Sequence, residues 1–378
     1  MSDPATTAEP VAPAVPVIPP DLDTPALVID LDVVERNAAR LSGQLAARDV
    51  ALRPHAKTHK SLEIGRIQLE HGARGLTVGT IGEAEVFAAG GFDDLFIAYP
   101  IWADGPKARR LGSLHDTSRL RLRVGFDSAE GAACLARAVA GARRRLEVLL
   151  ELDPGNHRSG AAPERAGDLA VAARELGLEL VGLFTHGGHS YRGGDAIAGA
   201  ATDEVATLTI GAAALRAVGI EPQVLSAGST PTAIGAAIAP VSEIRAGTYI
   251  LGDRQQATLG AVPWDGLAAV VAATVVSEAV DGQVVIDAGA KSLTKDVAPY
   301  LAGHGLLPAY PDAVIERVSD YHGVVRLAPG SPRPRLGEVV AVIPNHVCPV
   351  VDLFDTFVAT RAGEAVRRRP VEARGRSR

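Results

Sequence analysis

The sequence predicts an α/β protein: a (β/α)8 TIM barrel followed by a C-terminal all-β domain. Three observations lead there. Between residues 50 and 252, short apolar runs alternate with helical stretches, the pattern of parallel strands joined by crossover helices. Polar residues able to do chemistry follow most of those runs, where barrels build their sites. From about Leu267 the texture changes to short β-rich runs with Gly and Pro turns and no long helix.

Taken in order, a first strand over 26–29 is set apart from the barrel by a helix over 33–46 and is expected to pair with the β domain. The eight barrel strands fall at 50–55, 75–78, 95–98, 121–124, 148–152, 180–184, 223–225 and 243–250. A helix starts from Ser61. Thr80-Ile81-Gly82-Glu83 reads as a capping box for a helix over 83–89. Further helical patterns cover 130–140, 163–176 and 200–217. In the β domain the runs are 270–276, 283–287, 323–327, 338–343 and 357–359. The expected divisions are a disordered tail over 1–21, a barrel over 33–258, and a β domain made of 22–32 and 259–378. The basic end from Arg367 to Arg378 is expected to fray or to lie on a surface.

Composition narrows the function. With 378 residues, 47% hydrophobic and 22% charged, the chain can bury a large core. A net charge of −6 argues against nucleic acid or an anionic membrane as partner. No apolar run reaches membrane-spanning length. The two cysteines, Cys134 and Cys348, fit a reducing cytoplasm better than a disulfide framework. The Pro- and Ala-rich start has no basic segment and no apolar signal core.

The chemistry begins at Arg53-Pro54-His55-Ala56-Lys57-Thr58-His59-Lys60, after the first barrel run. A lysine at a strand end among other bases can shed its charge and attack a carbonyl as a free amine. The plainer alternative is an exposed basic loop. After the seventh run, Ala227-Gly228-Ser229-Thr230-Pro231-Thr232 combines a glycine, hydroxyls and an expected helix start. Ala246-Gly247-Thr248, with Tyr249 beside it, offers a second set of backbone N–H groups. Barrels often bind phosphate at these two loops, and helix N-termini favour anions. Ser229, Thr230, Gly247, Thr248 and Tyr249 are thus candidate cofactor contacts. A phosphorylated cofactor together with Lys57 points to pyridoxal 5'-phosphate (PLP), whose aldehyde forms a Schiff base with lysine.

In Asp153-Pro154-Gly155-Asn156-His157-Arg158-Ser159-Gly160, Arg158 is placed to reach the phenolic oxygen of such a cofactor. In Thr185-His186-Gly187-Gly188-His189-Ser190-Tyr191, His189 is a candidate general base and Tyr191 a cofactor contact. Pro344-Asn345-His346-Val347-Cys348-Pro349 ends a β-domain run. If the chain is extended there, His346 and Cys348 point to the same side, and imidazole with thiolate suits zinc. Two protein ligands leave positions open, as in a catalytic metal site. Asp320 and His322 are the nearest candidates for further ligands.

With these motifs on the page, the chain resembles the fold-type III, alanine-racemase-like PLP enzymes. Within them it looks like the branch of D-threonine aldolase, D-serine dehydratase and D-3-hydroxyaspartate lyases. The matching stretches are DTPAL from Asp23, RPHAKTHKS around Lys57, the run ending at Tyr191, GSTPT from Gly228, RAGTY from Arg245, DAGAKSL from Asp287 and PNHVCPVVDL from Pro344. The resemblance implies Lys57 as the Schiff-base lysine and His346 with Cys348 as ligands of a divalent metal, zinc or manganese, beside the cofactor. It also implies a role for His189 near the substrate hydroxyl, and a homodimer with the active site near the subunit interface. Two departures stand out. Asp320 and Tyr321 replace the two acidic residues often found before His322-Gly323. Cys348 resembles the dehydratase pattern, where aldolases of the branch have a carboxylate.

The expected substrate is a D-β-hydroxy amino acid. As an aldolase the enzyme breaks the Cα–Cβ bond of D-threonine to give glycine and acetaldehyde. As a D-serine or D-threonine dehydratase, or a D-3-hydroxyaspartate lyase, it loses the β-hydroxyl after Lys57 takes the α-proton. The aldolase is the leading expectation. A racemase using Tyr300, Tyr310 or Tyr321 and a non-catalytic PLP carrier are the remoter classes.

Overall fold

The computed structural model describes residues 15–378, in a chain that divides into two compact units, one of 38–247 with 375–378 and the other of 1–37 with 248–374. The chain enters through β1 (Ala26–Asp30) and α1 (Leu31–Ala46). The barrel unit then carries β2 (Ala51–Leu52), β3 (Leu76–Val78), β4 (Asp94–Ile97), β5 (Arg121–Phe126), β6 (Glu147–Glu151), β7 (Glu179–Phe184), β8 (Val224–Ala227) and β9 (Glu243–Ile244). Between them run α2 (Leu62–Glu70), α3 (Ile81–Ala89), α4 (Gly105–His115), α5 (Ala129–Ala138), α6 (Ala166–Glu175) and α7 (Asp195–Ala217). The strands form one parallel sheet in the order β2-β9-β8-β7-β6-β5-β4-β3. Backbone bonds from Thr77 N to Pro54 O and from Ala56 N to Thr77 O join its two ends. These strands read as nearly unbroken Val, Leu, Ile and Phe because both faces of a parallel sheet are covered.

The barrel interior holds a buried polar line. Arg53 donates to Asp94 at 2.7 Å and to Glu243 at 2.8 Å. Ser226 Oγ donates to the other Glu243 oxygen at 2.7 Å, and Arg245 donates to Ser226 at 2.8 Å. Arg245 also lies over the Phe184 ring, 5.2 Å from its centroid. Every buried charge along the line has a partner, which is the condition for keeping charge in a core.

Several expectations need correction. The eighth strand is only two residues long and gives way to a 3₁₀ turn, Thr248–Ile250. No helix starts at Gly228-Ser229-Thr230; residues 230–235 are turns. There Ser229 N donates to Thr232 Oγ1 and Thr232 N to Ser229 Oγ, a side-chain alternative to helical bonding. Thr80 does cap Glu83 N at 3.0 Å, but the Glu83 carboxylate turns to Gly79 N and to Lys60.

The second unit is built on β1, β10 (Ala269–Ser277), β11 (Gln283–Ile286), β12 (Val314–Val318), β13 (Gly323–Arg326), β14 (Val339–Val342), β15 (Thr356–Arg361) and β16 (Glu364–Pro370). Their order is β12-β13-β11-β10-β1-β15-β16, with β14 against β10. β1 is antiparallel to β10 and parallel to β15. Three short helices join them: α8 (Arg254–Thr258), α9 (Ala290–Leu293) and α10 (Val347–Leu353). Residues 248–258 belong with this unit and not with the barrel. Ala268 N bonds Leu251 O, Asn37 holds Ile250 O, and Arg254 N bonds Pro344 O.

The tail expected to be disordered lies outside the described residues over 1–14. Within 15–21, Pro16 and Pro19 are buried, and Val15 and Ile18 pack on the β-unit core. The basic end does not fray: residues 364–370 form an edge strand, and Gly82 N donates to Arg378 O at 3.0 Å. Among the described residues, no helix is long and apolar enough to cross a membrane.

Candidate active site

Lys57 sits on the turn after β2, exposed, between buried Ala56 and Thr58. Its backbone N–H donates to His55 Nδ1 at 3.3 Å. The basic cluster expected around it is mostly committed elsewhere. Arg53 belongs to the interior line, and Lys60 lies 3.4 Å from Glu83. His59 is fully buried between Gln68 and Ser61 N, and burial pulls its pKa from 6.5 to about 4. The neighbours that matter are His55 and His186. Desolvation first, then the positive charge of Lys57, followed by Arg245 at His55 and Arg158 at His186, hold both well below the usual histidine range. Both are neutral at pH 7.

The other predicted barrel residues stand on loops at the same, C-terminal end of the strands. Arg158 follows β6, about half exposed, with its guanidinium 3.7 Å from buried Glu151. His189 and Tyr191 lie on a 3₁₀ turn, Gly188–Arg192, after β7. A Cβ on Gly188 would sit 2.6 Å from Asn156 Oδ1, so the loops after β6 and β7 approach as closely as they do only with glycine there. His189 Nε2 is 3.0 Å from Asp203 Oδ2 on α7, while its Nδ1 is buried with no partner among the described residues.

The loop after β8 is pinned from beneath. Gly228 takes a φ of +91°, and its N–H donates to Glu204 Oε1 at 3.0 Å. The same oxygen accepts Gly187 N at 2.8 Å. Glu204 thus ties the His189 loop to the Ser229 loop. Burial raises its pKa, against hydrogen bonds from Thr232 and the two amides. Ser229 is linked to Ser190 at 3.3 Å and Thr232 at 3.1 Å. Gly247 packs so tightly that an added Cβ would be 3.0 Å from Thr58 Oγ1. A reachable lysine, loops rich in glycine and hydroxyls, and the Arg158 cation suit a phosphorylated aldehyde. PLP therefore fits these residues.

Thr248, Tyr249, His346 and Cys348 lie in the β unit. His346 and Cys348 are not on an extended strand. His346 is the N-cap of α10 and Cys348 lies in its first turn. The helix starts because buried Asp253 accepts Val347 N at 3.0 Å. The His346 and Cys348 side chains still meet in a hydrogen bond, and Thr248 Oγ1 lies 3.6 Å from Cys348 Sγ. His346 Nδ1 is 2.9 Å from Asp296 Oδ2, which leaves Nε2 for a metal. Burial lowers the His346 pKa, but the bond to and charge of Cys348, then Asp253 and Asp296, carry it up to about 9. A divalent ion would take that proton's place. No third His, Cys, Asp or Glu completes a cluster among the described residues. Asp320 pairs with exposed Lys291, so the extra ligands expected from Asp320 and His322 are not supplied. A two-ligand, open metal site fits the residues present. Beside His346 and Asp296 is a cavity of about 170 Å³, also lined by Asn345, Val297 and Leu301.

Residues 29–255 match the family described as alanine racemase, N-terminal domain, and residues 268–360 match the putative serine dehydratase domain. The chain is 33% identical over 370 residues to a D-threo-3-hydroxyaspartate dehydratase of Delftia sp., spanning 92% of this chain and 96% of that protein. It is 34% identical over 371 residues to a D-threonine aldolase of Arthrobacter sp., spanning 94% of each. The crystal structure of a D-threonine aldolase from Filomicrobium marinum superposes with a TM-score of 0.84 at 32% identity, covering 96% of this chain and 99% of that one.

Proposed function

The chain belongs to the alanine-racemase-like, fold-type III family of PLP enzymes and is a lyase, and from that premise we propose that it is a D-threonine aldolase. It cleaves a D-β-hydroxy amino acid to glycine and an aldehyde, with PLP on Lys57 and a divalent metal on His346 and Cys348. The observation that carries the reading is the company Lys57 keeps: it is exposed at a strand end, beside two half-buried histidines that desolvation and the charge of Lys57 itself hold neutral. PLP supplies an electron sink for charge at Cα, and the metal a Lewis acid for the β-oxygen. Lys57 provides the amine that holds the cofactor and yields it to the substrate amine. Ser229, Thr230 and Gly247 would hold the phosphate, Arg158 the phenolic oxygen, and Tyr191 the body of the cofactor. Thr248 orients Cys348, in keeping with their 3.6 Å separation. His189 takes the proton from the β-hydroxyl.

One observation favours a second reading. Cys348, a thiol ligand, lies in the stretch matched by the serine dehydratase domain. As a dehydratase the same residues would have Lys57 remove the α-proton, releasing ammonia and a 2-oxo acid. A racemase is less favoured: alanine racemase of Clostridium difficile shares only the fold, at 14% identity, while the dehydratase and aldolase relatives, at 33% and 34% over more than nine-tenths of the chain, support a lyase.

The test is a product assay on protein loaded with PLP and Zn²⁺ or Mn²⁺. Glycine and acetaldehyde from D-threonine but not L-threonine establish the aldolase. Ammonia and 2-oxobutanoate move the enzyme to the dehydratase class. A cytoplasmic homodimer completes the proposal, on the strength of the family, and sedimentation of an active monomer would remove the dimer.

A further inference from the structure

We propose that Asp203 is the positioning residue for His189, holding the imidazole as its Nε2–H tautomer so that Nδ1 is the base presented to the substrate. The inference rests on the lyase reading above and deepens it. A carboxylate only accepts hydrogen bonds, so the 3.0 Å contact between Asp203 Oδ2 and His189 Nε2 requires the proton on Nε2. The lone pair is then on Nδ1, the atom that is buried and has no partner among the described residues. Buried polar atoms without partners are uncommon and call for an explanation. A substrate hydroxyl donating to Nδ1 supplies one.

An ordinary surface ion pair would leave both ring nitrogens wet. His189 is instead only 12% exposed, with Asp203 on its solvent side at 53%. The placement is held by the backbone. Asp203 and Glu204 are consecutive on α7, and Glu204, fully buried, accepts the N–H of Gly187 two residues before His189. Two neighbouring acids thus grip one loop, Glu204 by its main chain and Asp203 by its imidazole. When His189 takes the proton, the Asp203 carboxylate stabilises the imidazolium without accepting the proton itself.

The experiment compares Asp203→Ala, Asp203→Glu, His189→Asn and the Asp203→Ala/His189→Asn pair as holoenzymes turning over D-threonine. It adds ¹⁵N NMR of histidine-labelled protein to read the His189 tautomer. Asp203→Ala is expected to lower kcat by about 100-fold, with KM changed by less than about threefold. Asp203→Glu should recover at least about tenfold of that loss, and the double variant should be no slower than His189→Asn. The wild-type NMR signal should be that of the Nε2–H form. Wild-type His189 protonated on Nδ1 would overturn the proposal, as would Asp203→Ala with unchanged kcat while His189→Asn is inactive. Full activity of His189→Asn would instead remove His189 from the mechanism, a failure of the underlying reading.

Discussion

Asp296 shows how a single side chain sets the worth of a metal site. It accepts from His346 Nδ1 and so leaves the Nε2 side of the ring for the proposed ion. Removing such an oriented partner commonly weakens metal binding by about 10–100-fold. Asp296→Asn should therefore bind Zn²⁺ about tenfold or more weakly by calorimetric titration, and Cys348→Ala more weakly still. Equal affinity in all three proteins would mean that the ion sits elsewhere. For Lys57 the expectation is sharper. Lys57→Ala should lose the visible absorbance of a lysine-bound cofactor along with all turnover, and a retained absorbance would point to another lysine. His346, Cys348 and Lys57 stood out as candidates from motifs. Asp203, Glu204 and Asp296 were not, because each meets its partner across a distance in sequence that no local spacing reports.

Among the elements, strands β2, β4 and β9 are cross-linked through Arg53, which is 2% exposed. Taking one partner out of a buried ion pair strands the other charge, at a cost of about 3–5 kcal/mol. Arg53→Met should lower the unfolding free energy by about that much in urea titration. Arg121→Met, which breaks a half-exposed pair with Glu147, should cost less than about 1 kcal/mol. Similar losses in the two variants would contradict the burial account. The loops respond to Glu204 in the same way. Glu204→Leu removes the acceptor of two amides and should raise the Kd for PLP, measured by absorbance titration. At this scale the sequence read the strands well, since a buried parallel sheet needs uninterrupted apolar runs. It missed two edge strands, β12 and β16, because an edge strand open to solvent tolerates charges such as Glu316 and Arg317 in one and Arg367, Arg368 and Arg369 in the other.

Across the whole molecule, the desolvated neutral histidines give stability a pH dependence. His59 has its pKa lowered from 6.5 to about 4, with His55 and His186 shifted the same way. The unfolded chain therefore binds more protons than the fold between those values. The stabilisation is complete above pH 6.5 and is lost as pH falls toward 4, on the order of 3 kcal/mol for His59 alone. Asp253 runs the other way, since its pKa is raised from 3.8 to about 6 and its contribution fades as pH rises through that range. The drop in urea midpoint from pH 7 to pH 5 should be smaller in His59→Asn than in the wild type. An equal drop in the two proteins would show that His59 contributes none of the pH dependence.

By itself the sequence determined the α/β class and the barrel and β-rich regions, and it singled out Lys57 and the His-Cys pair as candidates. Those features are written in local periodicity and in residues adjacent along the chain, which survive without knowledge of the packing. Only the tertiary structure decided that Arg53, His59 and Lys60 serve the interior, and that the Gly228 loop is a pinned turn. It alone placed His346 and Cys348 at a helix start and gave Asp203, Glu204 and Asp296 their partners. Protonation and hydrogen bonding depend on burial and on side chains distant in sequence, and those are properties of the folded chain.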